Sequence, residues 1–169
     1  MTRSVTPLGA LGRGLLAGVA GTAAMTVWQE LSAKLRSSGE EGEGTSEEPK
    51  DPWEEASAPA KVGRRIIEGV FHKEVPTDKI GVLTNVMHWS YGTTWGVVYG
   101  LLAGTADRST LRGGLAFGTG VWLASYAELV PMGLYEPPWK YPPKELGMDL
   151  SYHLVYGGAT AAAFGVLSH

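Results

Sequence analysis

His88-Trp-Ser-Tyr91-Gly92, followed by Tyr99-Gly100, returns as His153-Leu-Val-Tyr156-Gly157, followed by Phe164-Gly165, with every matched position shifted by one interval. Imidazole changes charge near neutral pH, so two histidines at equivalent heights in two helices suit proton sensing, proton relay or metal ligation. An ionisable group inside a hydrophobic span is by default a functional candidate. Glu30 and Glu128 join them, each near the end of an apolar stretch. Carboxylates and imidazoles projecting inward at one level of a four-helix bundle can pass protons or hold a divalent ion. Ligand chemistry alone does not choose among Zn, Mn and Fe. His88, Glu128, His153 and Glu30 are therefore the proton-responsive or ligand-binding candidates, with His88, Glu128 and His153 as the metal candidates. The Glu-x-x-His pairing on one helix that marks a di-iron site is missing, and the balance is toward no cofactor. Glu128 is costly inside a span unless paired, protonated or facing water, so it is expected within hydrogen-bond or common-ligand distance of His153. The plain alternative is that each histidine only bonds a neighbouring hydroxyl or carbonyl.

The elements that must position these groups follow from where the charge lies. The chain has 169 residues, 44% hydrophobic and 18% charged, but most of the charge falls between Lys34 and Lys79. Four stretches are nearly free of it: about 8–31, 81–104, 111–130 and 149–167. Each approaches the ~20 residues needed to cross ~30 Å of hydrocarbon. Gly92, Gly96, Gly100 and Gly104 recur every fourth residue, each costing about 1 kcal/mol against Ala in an aqueous helix. In lipid, small residues at that spacing let backbones come close enough for van der Waals attraction to hold helices together. Gly157 and Gly165 extend the device to the last stretch. The reading is all-α, a single polytopic domain over 1–169 forming a four-helix transmembrane bundle, with a soluble helical bundle as the alternative.

Within the connection from 32 to 80, the Gly-, Ser-, Glu- and Pro-rich part from Arg36 to Pro59 is expected to be disordered, since it cannot bury enough apolar surface to offset its ordering entropy. From Pro59 to Val75, Val62, Ile66, Val70 and Phe71 oppose Lys61, Arg64, Arg65, Glu68 and Lys73. That pattern fits a helix lying in the headgroup layer, or equally a soluble helix packed on the loop. The segment Tyr135-Glu-Pro-Pro-Trp139-Lys-Tyr141-Pro-Pro143 sets aromatics among prolines, as suits a membrane boundary. A looser match sets Arg13-Gly14 against Arg112-Gly113 and Trp28-x-Glu30-Leu31 against Tyr126-x-Glu128-Leu129. A duplicated helical hairpin results, its copies parallel and related by an axis along the membrane normal. Ten of the fourteen Lys and Arg lie on the connection side, which by the positive-inside count favours cytoplasmic connections and outward termini.

The net charge of -3 provides no basic surface for nucleic acid. Cysteine is absent, which removes disulfides, thiolate metal sites and a cysteine nucleophile. Neither Gly-x-Ser-x-Gly, a phosphate-binding Gly-x-x-x-x-Gly-Lys loop nor His-Glu-x-x-His occurs, so no enzyme is expected. At His88-Trp-Ser-Tyr-Gly, Pro131-Met-Gly-Leu134 with Pro137-Pro138-Trp139, and His153-Leu-Val155, the chain resembles the YagU-like family of bacterial inner-membrane proteins. The resemblance covers mainly Gly81 to Leu167. It implies a bacterial inner-membrane location, multi-pass, and a link to acid tolerance or envelope homeostasis, but no catalytic set. The lipid bilayer is the expected partner. A structural or accessory subunit, packing its glycine faces against itself or another membrane protein, is the competing function.

Overall fold

The computed structural model describes residues 6–37, 51–106 and 110–168. Among them every regular element is helical: α1 (Pro7–Ser37), α2 (Pro52–Glu55), α3 (Ala58–Phe71), α4 (Ile80–Ala106), α5 (Leu111–Leu129) and α6 (Pro143–Ser168). Single 3₁₀ turns at Thr77–Lys79 and Pro138–Lys140 lead toward α4 and α6. The four expected apolar stretches all become long helices. Most of the segment expected to be disordered lies outside the described residues. The part that is described carries α2, whose first turn is fixed by Pro52 and by the Asp51 carboxylate accepting from Trp53 N at 3.0 Å.

Two helices overrun their expected bounds, and α6 does so most usefully. It begins at Pro143, where the ring's fixed φ and missing N–H cost nothing in a first turn. Asp149 is therefore inside the helix instead of at its edge. α1 continues to Ser37 and is about 46 Å long at ~1.5 Å per residue. Among the described residues only α1, near the N-terminus, is both long and apolar enough to cross a membrane. The four-span expectation thus holds for helix number and length but for composition only in α1. The cause is legible residue by residue. α4 carries Asn85, His88, Ser90, Thr93 and Thr94 among its aromatics, and α6 carries Lys144, Glu145 and Asp149.

Packing follows the glycines. α1 runs antiparallel to α4, and a Cβ at Gly18 would stand 2.8 Å from Gly96 Cα, one at Gly14 2.6 Å from Gly96 O. α5 runs antiparallel to α6, where a Cβ at Gly114 would lie 2.5 Å from Gly157 O. Gly100 likewise abuts Ala10 and Gly14. So Gly92, Gly96, Gly100 and Gly157 are occupied within the monomer, while Gly165 is only half-buried beside the fully buried Phe164. These glycine faces pack helix against helix inside the monomer.

The hairpins correspond in space, in a register nearly a turn away from the sequence match at Arg13 and Arg112. Gly18 meets Gly92 and Gly96, while Gly114 meets their counterparts Gly157 and Ala161. One turn on, Thr22 stands over Gly92 and Gly118 over Gly157. The hairpins join through α1 and α6, which pack along their lengths, with Gly21 closing on Tyr156 and Thr160. Between α4 and α5 the contact is made by side chains. Phe117 stacks edge-on with Trp95 and Tyr99 at 6.0 and 5.0 Å. Ala17, Tyr99, Ala103, Ala161 and Phe164 form the bundle core. A satellite cluster of Trp53, Ala56, Ala60, Val75 and Leu83 fixes α2 and α3 against α4.

Candidate functional site

His88 and His153 each stand between two and three turns inside their helices, which is closer to equivalent than the expected bounds implied. α4 and α6 are parallel neighbours, tied where Tyr156 donates to Gly92 O at 2.6 Å. His88 and His153 each lie about one turn before that contact in their helices. His88 is half-buried and faces α1, with Nε2 3.4 Å from Thr26 Oγ1. The Thr26 hydroxyl donates its own proton to Thr22 O at 2.9 Å, so the imidazole is left to donate to it. His153 has a side chain only 12% exposed. Its Nδ1–H donates to Asp149 O at 2.9 Å. Each neutral histidine thus commits one N–H and keeps one lone pair, the arrangement a proton acceptor requires.

Asp149 is the group that sequence reasoning missed. One of its carboxylate oxygens accepts from Trp122 Nε1 at 2.8 Å and from Tyr126 OH at 3.1 Å. The other lies 3.8 Å from His153 Nδ1. Around it Tyr126 packs on Trp122, Tyr135 and Tyr141, with ring centroids 5.4, 5.3 and 6.1 Å apart. Tyr135, in the connection between α5 and α6, has its phenol pushed up to about 12 by burial, with the Asp149 and Tyr141 charges adding to it. The signal for Asp149 was present in the sequence: aspartate four residues before histidine puts both on one helical face. Treating Asp149 as the first residue of the span concealed it.

Glu128 does not meet His153. Its carboxylate is exposed and accepts from Tyr91 OH at 3.1 Å across the α4–α5 seam. Being at the exposed end of α5, it faces outward, while the inward acid comes from α6 itself. Glu30 is also exposed. The predicted gathering of His88, Glu128, His153 and Glu30 at one site is therefore corrected: His153 pairs with Asp149, Glu128 with Tyr91, and His88 with Thr26. Among the described residues no set of three or more His, Asp or Glu side chains is disposed to hold a metal ion. Asp149 already serves two donors, and His88 and His153 belong to separate hydrogen-bond networks.

A second polar belt ties the connection-side ends of α1 and α6. Trp28 Nε1 donates to Ser151 Oγ at 3.0 Å. Tyr152 OH bonds Ser32 Oγ at 2.9 Å and accepts from Arg36 at 3.1 Å. This belt fixes the level of α6 against α1, and so the height of His153 relative to Thr26 and His88. In comparisons with known proteins, no family model, no curated protein and no solved structure matches the chain.

Proposed function

We propose that the chain is a multi-pass membrane bundle whose His88–His153 pair, with Asp149 as countercharge, responds to protons. The observation that carries this is the largely buried His153 imidazole beside the Asp149 carboxylate on α6, about one turn before the α4–α6 contact, with His88 at the same level of α4. Imidazolium charges on both would repel each other across that contact. The carboxylate 3.8 Å from His153 can balance one of them. Protonation therefore stresses the α4–α6 contact at the level of Gly92 and Tyr156. The groups shown against the pair are Thr26 from α1 at His88, and the Asp149 carbonyl and carboxylate of α6 at His153.

The bilayer reading rests on an inverted residue distribution. Interior contacts are made largely by Gly, Ala, Thr and Tyr, whereas Leu8, Leu16, Val27, Val82, Leu102 and Val166 stand outside, each at least half exposed. Only 33% of the most apolar stretch of α1 is buried, which leaves most of that stretch free to meet acyl chains. The setting, a bacterial inner membrane under acid stress, is taken from the YagU-like resemblance at His88, Pro131 and His153. The test is the intrinsic tryptophan fluorescence of protein reconstituted in phospholipid vesicles, titrated from about pH 8 to 5, where imidazole titrates. Wild type is expected to show a transition that is lost when both histidines are replaced by Gln. Identical curves for the two would sink the proposal.

A further inference from the structure

α3 has more apolar surface than its packing uses. Ala60 and Gly63 face α4, where a Cβ at Gly63 would lie 3.0 Å from Met87 and 3.2 Å from Leu83. Ile67 completes that contact. A second apolar arc remains outside: Ile66 and Val70, one turn apart, are 47% and 65% exposed, with Phe71 exposed at the end of the helix. Lys61, Arg64, Arg65 and Glu68 occupy the remaining side. A helix that merely packed on α4 in water would need only the first arc to be apolar.

The position of α3 says what meets the second arc. Leu83 and Gly92 are nine residues apart, half a turn out of phase at 3.6 residues per turn. α1 covers the Gly92 side of α4, and α3 covers the Leu83 side. α3 is thus stacked on the outer flank of the bundle, against the first turns of α4. Its height is fixed independently, because Arg65 donates to Met132 O at 2.6 Å and so joins α3 to the connection after α5. That connection carries Trp139, which is 82% exposed. An outward apolar arc, an exposed tryptophan and the exposed cations Arg65 and Lys73 at one end of the bundle match a phospholipid boundary in chemistry. Acyl carbon meets the apolar arc, and lipid phosphates meet the cations.

We infer that α3 lies in the phospholipid headgroup layer, held to the bundle by its Gly63 face and embedded through Ile66 and Val70. This rests on the membrane reading above, and the experiment separates the two. The chain has no cysteine, so Ile66→Cys, Val70→Cys, Lys61→Cys and Leu16→Cys variants of the full chain can each carry a single nitroxide. Collision with oxygen, which concentrates in lipid, and with a water-soluble nickel chelate then ranks depth in phosphatidylethanolamine and phosphatidylglycerol vesicles. The expected order of oxygen-to-nickel accessibility is Leu16 deepest, Val70 and Ile66 intermediate, Lys61 lowest. If Leu16 is deep while Val70 and Ile66 are as nickel-accessible as Lys61, the α3 inference is overturned and the spanning one stands. If Val70 and Ile66 are shielded from both reagents, with dipolar coupling between labels, a second copy covers the arc and the lipid assignment is overturned. If Leu16 itself is nickel-accessible, the spanning reading fails and takes this one with it.

Discussion

At Asp149 a single carboxylate organises three side chains, and its removal should be felt at each. Trp122 Nε1 and Tyr126 OH both donate to it, and an orphaned buried donor costs about 1–3 kcal/mol. Asp149→Ala should therefore lower the melting temperature clearly in detergent, whereas Asp149→Asn, which still accepts, should lower it less. Equal losses would show that shape and not hydrogen bonding matters there. At the half-buried Glu68 the argument concerns pH. Hydrogen bonds from Arg64 and from the Val75 amide hold its carboxyl below the ordinary value of 4.5. A depressed carboxylate contributes fully above that ordinary value, and the contribution is lost as pH falls through its lower folded value. Amide exchange at Val75 should therefore lose protection on acidification, and Glu68→Gln should remove that dependence. The histidines were legible in sequence because the repeat marks them. The spacing of Asp149 from His153 was legible too, but its place inside the helix was not, because helix continuation back to Pro143 depends on the connection that precedes it.

Between elements, glycine position decides what the sequence reveals. A repeat of small residues at every fourth position announces that α4 packs closely, but not against which helix or in which register. The pairing of Gly18 with Gly96 and of Gly114 with Gly157 depends on how far each partner slides. The spatial correspondence explains an asymmetry in the bundle. Where Gly21 closes on Tyr156 and Thr160 between α1 and α6, the corresponding positions between α5 and α4 are Phe117, Tyr91 and Trp95. Large rings in place of glycine and threonine wedge that second interface apart, leaving α4 and α5 joined through side chains. Substituting Gly96→Ala should destabilise the fold, since a methyl there collides with Gly18 backbone atoms, and overpacking costs about 1–3 kcal/mol. Gly120→Ala should be neutral or favourable by up to about 1 kcal/mol, because nothing lies within 4 Å of the added atom. Thermal unfolding of the two variants side by side checks the contrast. A similar loss in both would mean that the glycines serve helix flexibility and not close approach.

For the molecule as a whole, the all-helical class and the four long helices were legible from charge segregation alone. The level at which the helices meet was not, because it is set by long-range pairs such as Trp28 with Ser151 and Ser32 with Tyr152. These pairs also define the two ends of the bundle. Arg36, Tyr152, α3 and the connection bearing Trp139 gather at one end, while the α1 start, the α4 end, the α5 start and the α6 end share the other. Four antiparallel crossings would put both chain termini on one side of a membrane and both long connections on the other. Under the membrane reading proposed above, the excess of Lys and Arg on the connection side points that end to the cytoplasm by the positive-inside count. Single cysteines at Trp139 and at Ser57 in intact cells should then resist a membrane-impermeant maleimide until the cells are opened, while a cysteine at the exposed Thr6 should react at once. Simultaneous labelling of Trp139 and Thr6 variants from outside would rule out the even-span topology, and a full reversal of the two sets would keep the bundle but invert its orientation.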